Sequence, residues 1–151
     1  EVMNEKLPIL IAEDDENDAL MLQRALRKAG FNNPFHICVN GADVITYLKG
    51  EPPYQDREKY RFPRIVITDL KMPQMDGFEL LAWFQNHPDC SLIPKLVLSA
   101  SQQQEDVRRA YRLGANSFLV KPASFEQLVA NMKLSLDYWT MCEKPEPPPH
   151  C

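Results

Sequence analysis

Side chains that can bind a metal ion or a phosphate follow four short apolar runs of the sequence. They are Glu13 and Asp14, then Asp69, Ser99 and Lys121. Carboxylates gathered in one place repel each other unless a cation relieves them, and Mg²⁺ binds carboxylates together with phosphate oxygens. Lys121 offers a positive charge and Ser99 a hydroxyl donor to the same oxygens. The set therefore predicts a site at which a phosphoryl group is transferred to a carboxylate.

Five short apolar runs alternate with five longer segments of helical periodicity. The runs are predicted strands at Leu7–Ala12, Phe35–Val39, Arg64–Thr68, Lys95–Ser99 and Ser117–Val120. Strict alternation of strands and helices favours a parallel sheet with helices on both faces. Such sheets bind ligands at the carboxyl ends of their strands, and the polar residues named above stand at those ends.

Several polar residues could instead serve as helix caps. Asp14 or Asp15 could cap the first helix, and Asp76 is predicted to cap the third helix rather than to bind a metal. Ser101 followed by Gln104, and Ser124 followed by Gln127, predict capping boxes that open the fourth and fifth helices. A role as caps would explain single acids, but it would not explain acids, hydroxyl and lysine together at the strand ends.

The composition is that of one soluble globular domain. The chain has 151 residues, 44% of them hydrophobic, and a net charge of -4, which does not favour nucleic acid or an anionic membrane as a partner. We find no signal peptide and no apolar stretch of the roughly 20 residues that a membrane helix needs. The cysteines are far apart and form no C-x-x-C pair: Cys38, Cys90, Cys142 and Cys151. We therefore expect small core or tail cysteines in a reduced, cytoplasmic setting.

Four segments carry a resemblance to the response regulator receiver family of two-component signalling. They are Ile9–Asp15 (ILIAEDD), Ile65–Gly77 (IVITDLKMPQMDG), Leu98–Ala100 (LSA) and Phe118–Pro122 (FLVKP). The resemblance covers Lys6 to Met141, so we expect a receiver domain at 6–141 and a Pro-rich tail at 142–151, extended or disordered. It implies a flavodoxin-like (βα)5 fold, a doubly wound five-stranded parallel sheet with strand order 2-1-3-4-5.

The resemblance also implies roles for the residues at the strand ends. Asp69 would be the phosphoacceptor, and Mg²⁺, or Mn²⁺ or Ca²⁺ in its place, would be held by Asp69, Asp14, Glu13 and the backbone carbonyl of Lys71. Glu13 would act through water.

Three further positions match the family. Ser99 and Lys121 would hold the phosphoryl oxygens. Phe118 stands at the position of the family's switch aromatic, which moves inward when the hydroxyl residue is drawn to the phosphate. The Lys121–Pro122 peptide bond would be cis, as is usual in the family.

The implied function is a single-domain response regulator, phosphorylated by a sensor histidine kinase and acting as a switch rather than as an enzyme on other substrates. A phosphotransfer intermediate and a degenerate receiver that only binds proteins are alternatives, although the site is complete. A phosphohydrolase would need an acid two residues after Asp69, where Lys71 stands. A nucleotide or flavin binder would need a Gly-rich loop after the first strand.

The fifth predicted helix has two apolar faces. One face is predicted to pack on the sheet: Phe125, Leu128, Val129, Met132, Leu136 and Trp139. Leu134, Tyr138 and Met141 form a second stripe, which predicts a homodimer surface or partial cover by the tail. This helix, the long connection Glu51–Pro63 and the Pro-rich tail resemble the regulators paired with bacterial phytochromes. The connection itself could be an ordered surface loop or a flexible insert.

Overall fold

Five parallel strands form the central sheet of the computed structural model, which describes residues 7–146, 148 and 151. The strands are β1 (Ile9–Ala12), β2 (Phe35–Cys38), β3 (Ile65–Thr68), β4 (Lys95–Ser99) and β5 (Ser117–Val120). Their order across the sheet is β2-β1-β3-β4-β5, so the predicted order 2-1-3-4-5 and the flavodoxin-like fold are confirmed. The predicted start of the domain at Lys6 lies outside the described residues.

Helices follow every strand. They are α1 (Glu16–Ala29), α2 (Gly41–Lys49), α3 (Gly77–Gln85), α4 (Gln104–Arg112) and α5 (Phe125–Met141), with a short 3₁₀ helix at Cys90–Leu92. One apolar cluster joins α1 and α5 to one face of the sheet, and a second joins α2 and α3 to the other face. β1, β3 and β4 are buried along their whole length, which explains their continuous apolar character.

The helix caps agree with the sequence at α1 and α3. At α5 only half of the predicted box forms, because the Gln127 side chain donates to Asn131 Oδ1, and at α4 the prediction fails. Asp15 caps α1, Ser124 caps α5 by accepting from the Gln127 N–H, and Asp76 forms a capping box with Glu79. The predicted box of Ser101 and Gln104 is wrong, because α4 begins only at Gln104 and has no side-chain cap. The Ser101 Oγ accepts from the Gln103 N–H at 3.2 Å, before the helix begins, and its hydroxyl donates to Asp106 Oδ2 at 2.6 Å.

The two faces of α5 differ as the sequence predicts. Met132 is fully buried, and the other residues of the sheet-facing stripe pack against the same cluster as α1. On the opposite side Leu134, Tyr138 and Met141 are 69%, 61% and 78% exposed. An apolar stripe this exposed is unusual on a helix that covers a sheet.

An aromatic cluster orders the long connection between α2 and β3. Tyr54 and Tyr60 of this connection surround His36 of β2, together with Tyr47 of α2. The Tyr47 hydroxyl donates to the Arg61 carbonyl at 2.7 Å, and the Arg57 guanidinium donates to the Tyr47 carbonyl at 2.8 Å. Of the two alternatives, the structure therefore supports the ordered loop.

The expectation that every cysteine would be an unpaired core or tail residue is wrong for two of them. Cys90, in the 3₁₀ helix, forms a disulfide with Cys151, 61 residues later in the chain. Cys38 and Cys142 are free. Sequence spacing could not reveal the pair, because the tail brings Cys151 back to the opposite side of the sheet from α5. Tail residues 143–146 lie outside helices and strands, while 147, 149 and 150 lie outside the described residues.

Within the described residues, no helix combines the length and the apolar character that crossing a membrane requires.

The His36 cluster predicts an acid-sensitive stability. Burial lowers the pKa of His36 below its ordinary value, and the charge of Asp43 offsets only part of this effect. The unfolded chain therefore binds a proton on His36 more readily than the folded one, so the free energy of unfolding falls as the pH drops through the ordinary histidine pKa of about 6.5. We expect His36→Gln to reduce this loss, measured as urea midpoints at neutral and mildly acidic pH.

The matched control is His87→Gln, which leaves the aromatic cluster around His36 in place. An acid loss of stability that His36→Gln leaves unchanged would contradict the prediction.

Candidate functional site

The predicted site residues meet at the carboxyl edge of the sheet. The hydrogen-bond ladder continues past the strands, since the Glu13 N–H donates to the Cys38 carbonyl and the Asp69 N–H donates to the Ala12 carbonyl. The Lys121 N–H likewise donates to the Ser99 carbonyl, at 2.8 Å. These backbone hydrogen bonds fix the positions of the Cα atoms from which the functional side chains extend.

Three carboxylates lie together at this edge. Glu13, Asp14 and Asp69 each offer an oxygen, and these oxygens all lie within 4.8 Å of one another. Glu13 is only 7% exposed and Asp69 is partly buried, whereas Asp14 is open to solvent. Carboxylate oxygens with one open side match the hard, partly hydrated divalent cations. The three residues therefore fit a divalent metal ion.

Lys121 supplies the positive charge of the site. Its Nζ donates to Glu13 Oε1 and Asp69 Oδ2, both at 2.9 Å, and to Asp18 Oδ2 at 3.1 Å. Burial by itself lowers the pKa of Lys121, but the hydrogen bonds and charges of Glu13 and Asp69 outweigh it and raise the pKa overall. The amine is therefore held in its charged form.

The surroundings of Glu13, in contrast, favour its neutral form. Burial raises the pKa of Glu13 most strongly, and the negative charge of Asp69 adds to this rise. The hydrogen bonds from Lys121 and from the Asp15 N–H favour the charged form but do not cancel the shift. A second positive charge beside Glu13 would favour the charged carboxylate and lower its pKa.

The loop after β3 orients Asp69. Its Oδ1 accepts from the Leu70 N–H at 2.7 Å, and its backbone carbonyl accepts from the Thr68 hydroxyl at 2.7 Å. Gly77 closes the loop, since its N–H donates to the Leu70 carbonyl at 2.9 Å. A Cβ atom at position 77 would lie 2.8 Å from the Leu70 Cα, so only glycine fits.

Ser99 and the residues that follow it lie on the side of the site opposite the loop after Asp69. Ser99 is 1% exposed, and its Oγ accepts from the Ser101 N–H at 3.1 Å. An open groove beside it is lined by residues of both loops, among them Asp69, Lys71, Ser101, Gln103 and Asp106. Ser99 thus lies next to the phosphoacceptor candidate without being hydrogen-bonded to it.

Phe118 lies behind this wall, in β5. It is half-buried and packs against the apolar cluster formed by α3, α4 and β4. Its backbone N–H donates to the hydroxyl of Tyr111, which is largely exposed on α4, at 3.2 Å. This bond joins β5 to α4 at Phe118, which pairs with Val97 of β4, two residues before Ser99.

Two residues at the site were missed by the sequence analysis. Asp18 pairs with Lys121 from the first turn of α1, and Asp106 accepts from the Ser101 hydroxyl in α4. Both look like ordinary acids in a first helical turn. One weak signal was available for Asp18, because it stands one helical turn after Asp14.

The expected cis bond at Lys121–Pro122 is also wrong. Among the described residues the cis peptide bond is Pro52–Pro53. For an X-Pro bond the trans form is favoured by roughly 0.5–1 kcal/mol. Lys121 reaches Asp69 and Glu13 from this trans backbone.

Comparison with known proteins agrees with the geometry. The family model described as "Response regulator receiver domain" matches residues 9–133. The probable methanogenesis regulatory protein FilR2 of Methanothrix harundinacea is 33% identical over 131 residues, which cover 87% of this chain and 82% of FilR2. Response regulator Rcp1 of Synechocystis sp. is 28% identical over 131 residues, covering 87% of each chain.

Solved structures give the same result. The phosphorylated cyanobacterial phytochrome response regulator RcpA superposes with a TM-score of 0.83 at 28% identity, over 93% of this chain and 99% of RcpA. The bacteriophytochrome response regulator RtBRR superposes with a TM-score of 0.74 at 33% identity, over 95% of this chain and 84% of RtBRR. With the family match covering most of its length, the chain belongs to the response regulator receiver family and has that family's phosphoryl-accepting role in signalling.

Proposed function

We propose that Asp69 is the phosphoacceptor and that a sensor histidine kinase is the donor. The observation that carries the proposal is the position of the Asp69 carboxylate, which lies between two other carboxylates and the Lys121 ammonium. An Asp69 oxygen attacks the phosphorus of a phosphohistidine. The P–N bond breaks, and its electron pair stays on the imidazole, which takes up a proton. The product is an aspartyl phosphate.

Lys121 and the acids balance the charge of this step. A phosphoryl group brings roughly -1.5 to -2 charges into a site that is already acidic. Lys121 can move its hydrogen bonds from Asp69 and Glu13 to an oxygen of a phosphoryl group on Asp69, because its amine already contacts the Asp69 carboxylate and its stem is flexible. Glu13, Asp14, Asp69 and the Lys71 carbonyl would hold Mg²⁺, with Mn²⁺ or Ca²⁺ as substitutes. The ion would supply further charge neutralisation and orientation.

Ser99 responds to the phosphoryl group by donating a hydrogen bond to it. Its oxygen already accepts from the Ser101 N–H, and the described residues provide no acceptor for its hydroxyl hydrogen. A phosphoryl oxygen would be such an acceptor. Movement of Ser99 toward it would change the packing at Phe118 and Tyr111, which is the switch that we propose.

Other activities fit the site less well. A phosphohydrolase needs an acid two residues after its nucleophile, and Lys71 occupies that position with an exposed side chain. A degenerate receiver would lack one of the acids, the hydroxyl or the lysine, all of which are present. We therefore propose that the protein catalyses only its own phosphorylation and dephosphorylation. Relay to a second histidine protein uses the same residues.

The partner kinase that we propose is a bacteriophytochrome. The support is the likeness to solved regulators described as phytochrome response regulators. We place the receiver unit at residues 6–141 and in the cytoplasm, where a histidine kinase obtains its ATP. The net charge of -4 does not favour nucleic acid or membrane as an additional partner.

We further propose a homodimer through α5. The support is the exposed stripe of Leu134, Tyr138 and Met141. Its side chains stand at i, i+4 and i+7 on one helical face, so a second copy could bury all three at once.

Asp69→Asn tests the phosphoacceptor. With Mg²⁺ and acetyl phosphate as donor, we expect mass spectrometry to detect one acid-stable, base-labile phosphoryl adduct on Asp69 of the native chain. The variant should show none, because an amide is not a nucleophile for phosphorus. Asp89→Asn is the control, since it removes the same charge from an exposed residue whose side chain makes no capping hydrogen bond. An adduct that persists in Asp69→Asn would overturn the assignment.

Asp14→Asn tests the metal site. The substitution keeps the shape of the side chain and removes one of three carboxylate charges. We therefore expect Mg²⁺ to bind roughly tenfold more weakly, which is a loss of ~1.4 kcal/mol of binding free energy. Isothermal titration calorimetry measures the difference. Glu16→Gln removes an equal charge from an exposed residue of the first turn of α1 and should change little. Equal affinities in both variants would argue against Asp14 as a ligand.

Tyr138→Asp tests the dimer. A charge in the centre of the stripe should prevent its burial, so sedimentation velocity should show a dimer for the native chain and a monomer for the variant. Leu20→Asp places the same charge at an exposed apolar residue of α1 and should remain dimeric. If the native chain and Tyr138→Asp both sediment as monomers, the dimer proposal is wrong.

A further inference from the structure

The disulfide between Cys90 and Cys151 joins the tail to the opposite side of the sheet. The two Cα atoms lie 5.6 Å apart, within the usual range for a disulfide. Cys90 is fully buried and Cys151 is half-buried. α5, from which the tail starts, packs with α1 on one face of the sheet, whereas Cys90 belongs to the cluster on the other face. The tail must therefore pass beneath the amino edge of the strands.

The segment that carries Cys90 is a firm anchor. The buried Lys95 amine donates to the carbonyl oxygens of Ser91 at 2.7 Å and Ile93 at 2.9 Å. These two bonds tie the 3₁₀ helix to the start of β4. In the tail, residues 143–146 are exposed and lie outside helices and strands, whereas Pro148 is buried beside Leu92 and Pro94.

The tail also forms one wall of a groove at the amino edge. The groove has a volume of about 540 Å³ and is lined by the first residues of β3 and β5 (Ile65, Ser117), by α5 (Leu134, Trp139) and by the tail itself at 142–145. Lys144 fixes the start of this wall, since its amine donates to the carbonyls of Trp139 and Cys142. Beyond Lys144 the tail crosses Leu92 and Pro94 on its way to Cys151.

We propose that the Cys90–Cys151 disulfide is a reversible latch, and that its reduction by a dithiol releases the tail and opens the groove beside α5. Disulfides are rare in a reducing compartment, and those that form there usually act as redox sensors. This step relies on the cytoplasmic setting proposed above. The disulfide is the covalent link between the end of the tail and a rigid anchor. Without it the tail would be held only by the Lys144 hydrogen bonds and by the packing of Pro148, so reduction loosens the tail while the sheet remains intact.

The exchange begins at Cys151, the more exposed of the two sulfurs. A thiolate of the dithiol bonds to the Cys151 sulfur, the S–S bond breaks, and Cys90 leaves as a thiolate that takes up a proton. The second thiol of the reductant then attacks the mixed disulfide. This attack releases Cys151 as a thiol and leaves the reductant as its own disulfide, so two electrons and two protons pass to the protein.

The first test maps the thiols. The full chain, equilibrated in air, is alkylated under denaturing conditions, digested and analysed by mass spectrometry. We expect a linked peptide pair containing Cys90 and Cys151, with Cys38 and Cys142 alkylated. After treatment with dithiothreitol all four cysteines should be alkylated. No linked pair, or a pair that includes Cys142, would overturn the proposal.

The second test measures the release of the tail. A Glu-specific protease can cut after Glu143, and a segment held at both ends is a poor substrate because it cannot adapt to the protease. We expect dithiothreitol to speed this cleavage at least fivefold in the native chain and in Cys142→Ser. Cys151→Ser should be cleaved at the fast rate with or without reductant, and it spares the buried Cys90.

A cleavage rate that dithiothreitol does not change in the native chain would overturn the latch. The same would follow if Cys151→Ser still responded to the reductant. Phosphorylation of Asp69 is measured separately and is needed for neither test. A failure of the latch is therefore distinguishable from a failure of the proposed phosphoacceptor.

Discussion

Repulsion between the carboxylates at the carboxyl edge is the constraint on which the rest of the structure depends. Glu13, Asp14 and Asp69 stand within 4.8 Å of one another, and the cation that meets them comes from Lys121, 108 residues after Glu13. β1, β3 and β5 must all be in the sheet before this balance exists. The site remains short of positive charge, because among the described residues Glu13, Asp14, Asp69 and Asp18 surround the single ammonium of Lys121. That shortage makes the edge receptive to a divalent ion and, with the ion, to a phosphoryl group.

The same edge connects the site to the surface. Ser99 accepts from the Ser101 N–H, and the Ser101 hydroxyl donates to Asp106 in the first turn of α4. Tyr111, one and a half turns further along α4, accepts from the Phe118 N–H in β5. The switch proposed above would act on these two attachments of α4. This helix has a single buried residue, Ala110, and little apolar burial opposes its movement.

The sequence predicted the features that depend on local pattern. The apolar runs marked all five strands, and the spacing of Met132 and its neighbours marked the buried face of α5. The strand order came from the resemblance to a family. Contacts between distant residues were missed: Asp18 with Lys121, and Cys90 with Cys151. A Ser-x-x-Gln pattern was also misleading at Ser101, because its Oγ accepts from the Gln103 N–H before the helix begins, whereas the Ser124 Oγ accepts from the Gln127 N–H inside the first turn of α5. Local pattern records what a residue can do, and the fold decides which partner it meets.

α5 is linked to both edges of the sheet, to the carboxyl edge at its start and to the amino edge through the tail that follows it. Its N-terminus follows Lys121 by only a few residues, and Ser124 caps its first turn. Its C-terminus leads into the tail that Cys151 ties to Cys90. In the two proposals above, a phosphoryl group on Asp69 would act on α5 through Lys121, and reduction of the disulfide would act on it through the tail. Between these two ends lies the exposed stripe of Leu134, Tyr138 and Met141. Because the stripe is part of one continuous helix, its orientation to the sheet depends on both ends, so phosphoryl transfer and thiol exchange would converge on the same surface.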